Sequence, residues 1–267
     1  MQKSVVIDYL PESVSRYRPG WTVVAIDVIR ATTTAITAAA AGWRCFPAPT
    51  IEAALALARE FDDPLLAGES GGSIPAGFEM DNSPAQLAYR TDTQRPLVLV
   101  SSSGTKVIHE AAGCEAVYLS CFRNYSFLAG YLAGRHARVA IIGAGSLGEF
   151  REEDQACCAW IAAVLMSQGY LPKNPETEAL VSRWSDKPPE ACLCSQSVSF
   201  LKRTDRLRDL EFIFAHINDL PAVFAVWNGE VRMIREKECL LSLHNLANRD
   251  EELGQVLAER GAGGTIR

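Results

Sequence analysis

Several polar side chains lie just after an apolar, strand-like run of the sequence. In chain order they are Asp27 with Arg30, Glu69, the hydroxyl-rich stretch Ser101 to Thr105, and the loop Gly143 to Gly148 with Glu153 and Asp154 behind it. In open α/β sheets, ligands bind at the edge formed by the carboxyl ends of the strands. An aspartate after a strand is more often a helix cap than a catalyst, but four such groups together predict one ligand-binding edge.

The residue types suit a metal ion and a phosphate group. Mg²⁺ usually takes one or two protein carboxylates, with water and substrate oxygens as its other ligands. Hydroxyl-rich and glycine-rich loops at helix N-termini favour phosphate, and the planar guanidinium of Arg30 fits an oxyanion. The residue types therefore predict a carboxylate site for Mg²⁺ on this edge and leave open which of the carboxylates bind the metal.

The loop Gly143 to Gly148 also matches the G-x-G-x-x-G pattern of dinucleotide-binding proteins. That pattern requires a helix N-terminus that faces a pyrophosphate, and a following strand that ends in an acidic residue. Here four acidic side chains crowd the helix start, namely Glu149, Glu152, Glu153 and Asp154. They would repel a pyrophosphate, and the segment Gln168 to Pro172 is not a strand that ends in an acid. The sequence therefore argues against NAD.

Composition narrows the class of protein. The 267 residues are 48% hydrophobic and 22% charged, which is typical of globular proteins. The net charge is −6, and the most basic segment, Lys202 to Arg208, is interrupted by Asp205 and is expected to be a solvated face. We therefore expect no nucleic-acid partner. The eight cysteines lack metal-site spacing and are expected to be reduced core residues.

No apolar run reaches the roughly 18 residues of a membrane helix, and no signal peptide is recognised. We expect a cytoplasmic protein without a membrane partner; a homo-oligomer stays open.

Strand and helix patterns alternate along the chain and predict a layered α/β/α fold with a mixed, largely parallel sheet. An amphipathic helix is expected over Glu152 to Met166 and a helical insertion over Pro172 to Ser199. Asn228-Gly229 between two apolar runs predicts a hairpin with a type I′ turn. We assign residues 1–235 to one α/β region, which could hold two subdomains, and residues 236–267 to a charged tail.

Five segments resemble the signatures of the 2-phosphosulfolactate phosphatase family. They are Val24 to Thr34; Gly68-Glu69 with Gly77 to Glu79 and Asn82 to Pro84; Ser103 to Thr105; Phe122 to Asn124; and Ala144-Gly145 with Glu153-Asp154. Their order and spacing hold from about Val5 to Ile234. The resemblance therefore covers nearly the whole chain except the tail.

The resemblance implies a Mg²⁺-dependent phosphomonoesterase that hydrolyses 2-phospho-3-sulfolactate to 3-sulfolactate and phosphate, a step towards coenzyme M. Its catalytic residues would be Asp27, Arg30, Glu69, Glu153 and Asp154. On this basis we expect Asp27 and Asp154 to be the metal ligands, with Glu69 or Glu153 as a further ligand or as a base that orients water. Its substrate-binding residues would be Thr32, Asn82, Ser83, Ser103, Gly104, Thr105, Arg123 and Asn124. The alternative is a diverged, non-catalytic protein that binds a phosphorylated or sulfonated metabolite.

Three residues depart from the family pattern. They are Ser70 in place of an arginine, Asp81 in place of a glycine and Ser103 in place of an asparagine. The serine at position 70 removes a cation that could pair with the substrate. Either another arginine replaces it, with Arg44, Arg90 and Arg151 as candidates, or the natural substrate carries less charge than phosphosulfolactate. The sequence favours the second explanation slightly, because none of these arginines lies next to a recognised motif.

Overall fold

The computed structural model describes residues 2–234, in which ten strands form one sheet. The strands are β1 (Ser4–Tyr9), β2 (Thr22–Ile26), β3 (Cys45–Ala48), β4 (Leu65–Gly68), β5 (Leu97–Val100), β6 (Ala116–Ser120), β7 (Arg138–Gly143), β8 (Leu171–Pro172), β9 (Val223–Trp227) and β10 (Glu230–Ile234). The helices are α1 (Ala31–Ala40), α2 (Ile51–Ala58), α3 (Pro84–Ala88), α4 (Gly104–Glu110), α5 (Tyr125–Leu132), α6 (Glu152–Ser167), α7 (Pro175–Trp184), α8 (Gln196–Arg203) and α9 (Leu207–Ala215). Short 3₁₀ helices span Pro11–Tyr17 and Pro189–Cys192.

The strand order is β4-β5-β3-β10-β9-β6-β2-β7-β1-β8. The two groups β4-β5-β3 and β6-β2-β7-β1-β8 are parallel throughout. The hairpin of β9 and β10 lies between them and pairs antiparallel with β6 and β3. This arrangement confirms the predicted mixed, largely parallel sheet.

The central strands are buried on both faces because helices cover both. All five residues of β2 are buried, as a continuous apolar run predicts for a parallel strand. Val23 and Ala25 face the core shared with α1 and α4, whereas α5 and α6 pack together and α6 contacts β1, β2 and β7. The layered α/β/α prediction is therefore confirmed.

Local signals in the sequence give the expected turns and caps. The side chain of Thr50 accepts a hydrogen bond from the Ala53 amide at the start of α2, and Ser83 caps α3 ahead of Pro84. In the β9–β10 turn, Asn228 and Gly229 have φ values of 50° and 78°. Positive φ at both central positions is the type I′ geometry, so the predicted hairpin is confirmed.

The helix α6 is not amphipathic, contrary to expectation. The seven consecutive residues Ala156 to Ala162 are all buried. The reason is that α5 and α7 pack against α6 in addition to β1 and β7. A helix covered on several sides has no solvated stripe. Its two buried carboxylates, Glu153 and Asp154, hydrogen-bond to other segments of the protein.

Two other elements differ from the sequence interpretation. The strand β3 was not among the elements predicted from the sequence. It contains Pro47, and proline normally indicates an edge strand or no strand. The basic segment Lys202 to Arg208 is not simply a solvated face, since Arg206 forms a largely buried ion pair with Asp81 at 2.7 Å. The predicted tail, residues 236–267, lies outside the described residues. Within residues 2–234, no helix is long and apolar enough to cross a membrane.

Candidate active site

A cavity of about 490 Å³ lies at the carboxyl ends of several strands. Its wall comes from segments that follow four strands, from the start of α6 and from α8 with the residues just before it. The lining residues are Asp27, Ile29 and Arg30 after β2; Glu69, Gly71, Gly72 and Asn82 after β4; Ser102 and Ser103 after β5; Gly145 to Leu147 after β7; Arg151 and Asp154 at the start of α6; and seven residues between Cys194 and Arg203. The cavity thus brings together residues from all four groups that the sequence singles out. It has a further wall, from α8, that no motif indicated.

The cavity joins strands that are not neighbours in the sheet. Between β2 and β5 lie β3, β10, β9 and β6, yet the residues that follow β2 and β5 touch. A Cβ atom on Gly104, the first residue of α4, would collide with Asp27 Oδ2 and crowd the Ala31 Cβ. The sheet therefore curves so that the starts of α1 and α4 meet, and only glycine permits this contact.

Asp27 is held by the start of α1. Its Oδ1 accepts a hydrogen bond from the Ala31 amide at 3.1 Å, and its own amide donates to Thr32 Oγ1 at 2.9 Å. Thr32 Oγ1 also lies 2.8 Å from the Ser120 carbonyl oxygen, so it ties this loop to the end of β6. Thr32 is fully buried and positions Asp27 without lining the cavity.

Asp154 reaches the same place from the first turn of α6. Its Oδ1 accepts a hydrogen bond from the Val28 amide at 2.8 Å, and the side chain is 97% buried, with a relative exposure of 3%. Because Val28 follows Asp27 directly, this bond fixes the two aspartates relative to each other. Both line the cavity.

The two carboxyl groups are electrostatically strained. Burial raises the pKa of Asp27 to about 7, and the nearby charges of Glu69 and Glu153 add to the rise. Burial also raises the pKa of Asp154, with further contributions from Asp27 and Glu153. A cation between the two aspartates would relieve this repulsion.

The two aspartates are carboxylate donors of the kind that Mg²⁺ prefers, so the residues present fit that ion. Within residues 2–234, no cluster of three or more His, Cys, Asp or Glu side chains is arranged to hold a metal ion. The pair Asp27 and Asp154 offers carboxylate oxygens to the cavity, which leaves positions for water and substrate oxygens. Mg²⁺ commonly binds proteins in this way.

Arg30 belongs to a buried network of two arginines and two aspartates. Its Nη1 donates to Asp81 Oδ2 at 3.0 Å and to Asp209 Oδ2 at 2.5 Å. Arg206 donates to the same Asp81 oxygen and, through Nη2, to the Gly72 carbonyl oxygen at 3.1 Å. Asp209 Oδ1 in turn accepts from Ser83 Oγ. The network fixes the Arg30 guanidinium in the cavity wall and offsets most of its charge.

Glu69 connects two loops of the cavity wall. Its Oε1 accepts from the Ser102 amide at 2.7 Å, and its Oε2 accepts from the Gly72 amide at 2.8 Å and from Ser102 Oγ at 2.9 Å. The carboxylate therefore holds the loop after β4 against the loop after β5. It also faces the cavity.

The structure divides the site residues expected from the sequence into two sets. Those that line the cavity are Asp27, Arg30, Glu69, Asn82, Ser103 and Asp154. Those that do not are Thr32, Ser83, Gly104, Thr105, Arg123, Asn124 and Glu153. Most of the second set support the wall from behind: Ser83 caps α3, and Thr105 exchanges hydrogen bonds with Ser101.

Arg123, Asn124 and Glu153 lie furthest from their expected role. Arg123 pairs with Asp219 through Nε and Nη2 and donates to Thr37 Oγ1. Asn124 accepts from the Cys121 amide. Burial raises the pKa of Glu153, and hydrogen bonds with Ser197 and Ser195 oppose the rise. Glu153 therefore links α6 to α8 behind the wall.

Several residues of the site have no signal in the sequence. Asp209 lies 179 positions from its partner Arg30, and Arg206 belongs to the segment interpreted as a solvated face. Arg151 and residues of α8 line the cavity but fall outside the motifs. Of these residues, only Arg151 had been named from the sequence, as one of three arginines that could replace the cation missing at Ser70.

Comparisons with known proteins agree with the resemblance in the motifs. The sequence model of the family described as 2-phosphosulpholactate phosphatase matches residues 8–228. A relative from Deinococcus radiodurans is 32% identical over 211 residues, which cover 77% of this chain and 86% of the relative. A relative from Carboxydothermus hydrogenoformans is 31% identical over 172 residues, which cover 64% of this chain and 71% of the relative. A relative from Symbiobacterium thermophilum is 37% identical over 145 residues, which cover 53% of this chain and 62% of the relative. Each is named "Probable 2-phosphosulfolactate phosphatase".

Proposed function

The chain belongs to the 2-phosphosulpholactate phosphatase family, and on that premise we propose that it is a Mg²⁺-dependent phosphatase that hydrolyses 2-phospho-3-sulfolactate to 3-sulfolactate and phosphate. The observation that carries the proposal is the convergence of Asp27, Asp154 and Arg30 on one cavity. Two carboxylates and a fixed guanidinium are the groups that binding a metal-bound phosphate monoester requires.

Asp27 and Asp154 would hold the Mg²⁺ ion. The ion would supply charge neutralisation at the phosphoryl group, which is the usual role of a metal in phosphoryl transfer. The residues themselves supply position: the Ala31 and Val28 amides fix the two carboxylates before substrate arrives. Preorganised groups of this kind avoid the cost of rearrangement during the reaction.

The other residues of the wall bind and orient the substrate. Arg30 is held by Asp81 and Asp209 and presents a guanidinium for a phosphoryl oxygen. Glu69 keeps the loops after β4 and β5 together and is the better candidate for orienting the attacking water, because it faces the cavity while Glu153 does not. Asn82 also lines the cavity, and its buried Oδ1, which has no partner within the described residues, would accept a hydrogen bond from a bound water rather than bind a phosphoryl oxygen.

The test is release of inorganic phosphate from 2-phospho-3-sulfolactate by the full chain, with EDTA and after Mg²⁺ is added back. We expect activity to disappear in EDTA and return with Mg²⁺. Asp186→Asn, at an exposed position of the α7 side of the molecule, is the matched control for Asp27→Asn and should keep full activity. Full release in EDTA would remove the metal from the proposal, and binding of the ester for hours without release would favour the non-catalytic alternative.

A further inference from the structure

The cavity contains charged groups that a phosphate and its metal do not account for. Among the described residues, its wall carries three carboxylates, Asp27, Glu69 and Asp154, and three guanidinium groups, Arg30, Arg151 and Arg203. The charge of Arg30 is offset by two buried aspartates. Arg151 is also buried, with a relative exposure of 7%, and requires a separate explanation.

Arg151 is held in place without a strong counter-ion. Its Nη1 donates to Gln196 Oε1, the first residue of α8, at 2.5 Å and to Glu149 Oε2 at 2.7 Å. The Glu149 side chain is 58% exposed, and an ion pair with such an exposed partner contributes little. Its Nη2 donates to the Ser146 carbonyl oxygen. Gln196 and Ser146 are neutral, so they orient the guanidinium without cancelling its charge.

One edge of the Arg151 guanidinium lacks an acidic partner. Three other arginines direct the same edge, formed by Nε and Nη2, at a carboxylate: Arg44 at Glu230, Arg90 at Asp92 and Arg123 at Asp219. In Arg151 the Nε atom is buried and has no hydrogen-bond partner within residues 2–234. A buried donor without a partner is costly, and an oxyanion is the partner that this edge fits best.

We propose that Arg151 is the specificity residue that binds the second anionic group of the substrate, its sulfonate or carboxylate, with Arg203 at the end of α8 adding to the positive potential there. This proposal rests on the proposed function and names the part of the substrate that is recognised. It also decides between the two explanations for Ser70. Arg44 and Arg90 are committed to Glu230 and Asp92 and do not line the cavity, whereas Arg151 does.

The experiment compares three phosphate esters in wild type, Arg151→Gln and Arg151→Lys. The esters are 2-phospho-3-sulfolactate, 2-phospholactate and glycerol 2-phosphate, which carry two, one and no anionic groups besides the phosphate. Loss of a charge-assisted pair in a buried site corresponds to about 30-fold or more in binding. We expect Arg151→Gln to raise KM for phosphosulfolactate by about that factor with a much smaller change in kcat, and Arg151→Lys to restore part of it.

The ratio of kcat/KM for phosphosulfolactate over glycerol 2-phosphate is the deciding quantity. It should fall in Arg151→Gln and stay at the wild-type value in Arg90→Gln, the matched control whose arginine lies outside the cavity. Equal losses for all three esters would show a merely structural role and overturn the proposal. Unchanged kinetics would overturn it as well.

A binding measurement separates this proposal from the proposed function. Calorimetry with 3-sulfolactate, which has no phosphate to hydrolyse, reports binding of the carboxylate and sulfonate without turnover, and the comparison with Arg151→Gln isolates the contribution of Arg151. We expect wild type to bind it and Arg151→Gln to bind it at least tenfold more weakly. If wild type binds 3-sulfolactate through Arg151 but hydrolyses none of the esters, the proposed function fails and the subsite stands. If wild type does not bind 3-sulfolactate, the subsite is wrong even if phosphate is released.

Discussion

Ionisation of Asp27 lowers the stability of the folded protein. Its pKa in the folded protein is raised to about 7 from 3.8, first by burial. A carboxyl group with a raised pKa contributes stability that is fully present below the unfolded value and is lost as pH rises through the folded value. In EDTA, the protein should therefore lose stability between about pH 4 and pH 7 because of this group.

The substitution Asp27→Asn should remove that loss. We expect the variant to release no phosphate but to gain of the order of 4 kcal/mol over metal-free wild type at pH 8, since the pKa of Asp27 rises from 3.8 to about 7 and one pKa unit corresponds to about 1.4 kcal/mol. Thermal unfolding in EDTA at pH 5 and pH 8 measures it. The gain should be larger at pH 8 than at pH 5; a gain that does not depend on pH would contradict the assignment.

Asp92→Asn is the control for this pH dependence. A hydrogen bond from Arg90 lowers the pKa of Asp92 to about 2, so Asp92 is ionised in both states across this range. Whatever stability the substitution costs should therefore be the same at pH 5 and at pH 8.

Gly104 is a second residue that the site depends on, because it has no Cβ atom. In Gly104→Ala, the added Cβ would displace Asp27 Oδ2, and overpacking of this kind costs about 1–3 kcal/mol. We expect phosphate release to fall at least tenfold while circular dichroism shows a folded protein. In the control Gly130→Ala, the new Cβ of α5 meets nothing within 4 Å, and a helix interior should gain about 0.5–1 kcal/mol. Equal activity in both variants would show that the contact with Asp27 is unimportant.

At this scale the sequence predicts location better than role. Asp27, Glu69 and Asp154 are recognisable because each is a carboxylate that follows a strand or begins a helix. Thr105 and Asn124 look equivalent in the sequence, but their side chains turn back to the backbone. No local pattern distinguishes a hydroxyl or amide that faces a ligand from one that closes a turn, because the difference lies in the packing of distant segments.

Among the elements, α9 contributes most to the site without lining it. Its Asp209 accepts hydrogen bonds from Arg30, Ser83 and the Ala85 amide, and so joins α9 to the starts of α1 and α3. Breaking a buried ion pair by removing one partner costs about 3–5 kcal/mol. We expect Asp209→Asn to approach that loss and to lower kcat/KM, because Arg30 is no longer fixed.

An exposed ion pair provides the comparison. Arg18 and Glu110 are about half exposed, and such pairs contribute about 0–1 kcal/mol. Urea unfolding of Asp209→Asn and Glu110→Gln should therefore differ severalfold in the stability lost. Similar losses would mean that the Arg30 network is not a buried, coupled unit.

The elements that the sequence missed share a physical reason. A short strand with a proline and a charged helix such as α9 have weak local signals, and both depend on partners far along the chain. The insertion after β8 was expected to be helical, and it is, but nothing in its composition indicated that α8 would face the cavity. That orientation depends on contacts such as the Phe200 ring against Gly72 and the Arg206 bond to the Gly72 carbonyl.

For the whole molecule, metal binding should appear as added stability. A ligand that binds only the folded state stabilises it by about 2.7 kcal/mol at 100 times its Kd. We expect Mg²⁺ to raise the Tm of wild type and of Asp186→Asn, and to have little effect on Asp154→Asn. A full Mg²⁺ shift in Asp154→Asn would place the ion elsewhere.

The curvature of the sheet was the main feature that could not be predicted from the sequence. Alternating patterns predict layers and parallel strands, because each helix and strand must bury one face. They do not predict that the segments after β2 and β5, two strands with four others between them, meet at Asp27 and Gly104. That meeting follows from the twist of many strands together, which no single segment encodes.

The position of the β9–β10 hairpin means that the ligand-binding edge of the sheet can form only late in synthesis of the chain. The hairpin is the last described part of the chain to be made, yet it lies in the middle of the sheet, between β6 and β3. On a ribosome that has not reached residue 222, β6 and β3 each keep one edge without a strand partner, and such edges invite pairing with other chains. Asp27 and Glu69 follow strands on opposite sides of this gap. The nascent chain therefore carries every carboxylate of the cavity long before the sheet that sets their spacing can close, and the two unpaired edges are open to misassembly during that interval.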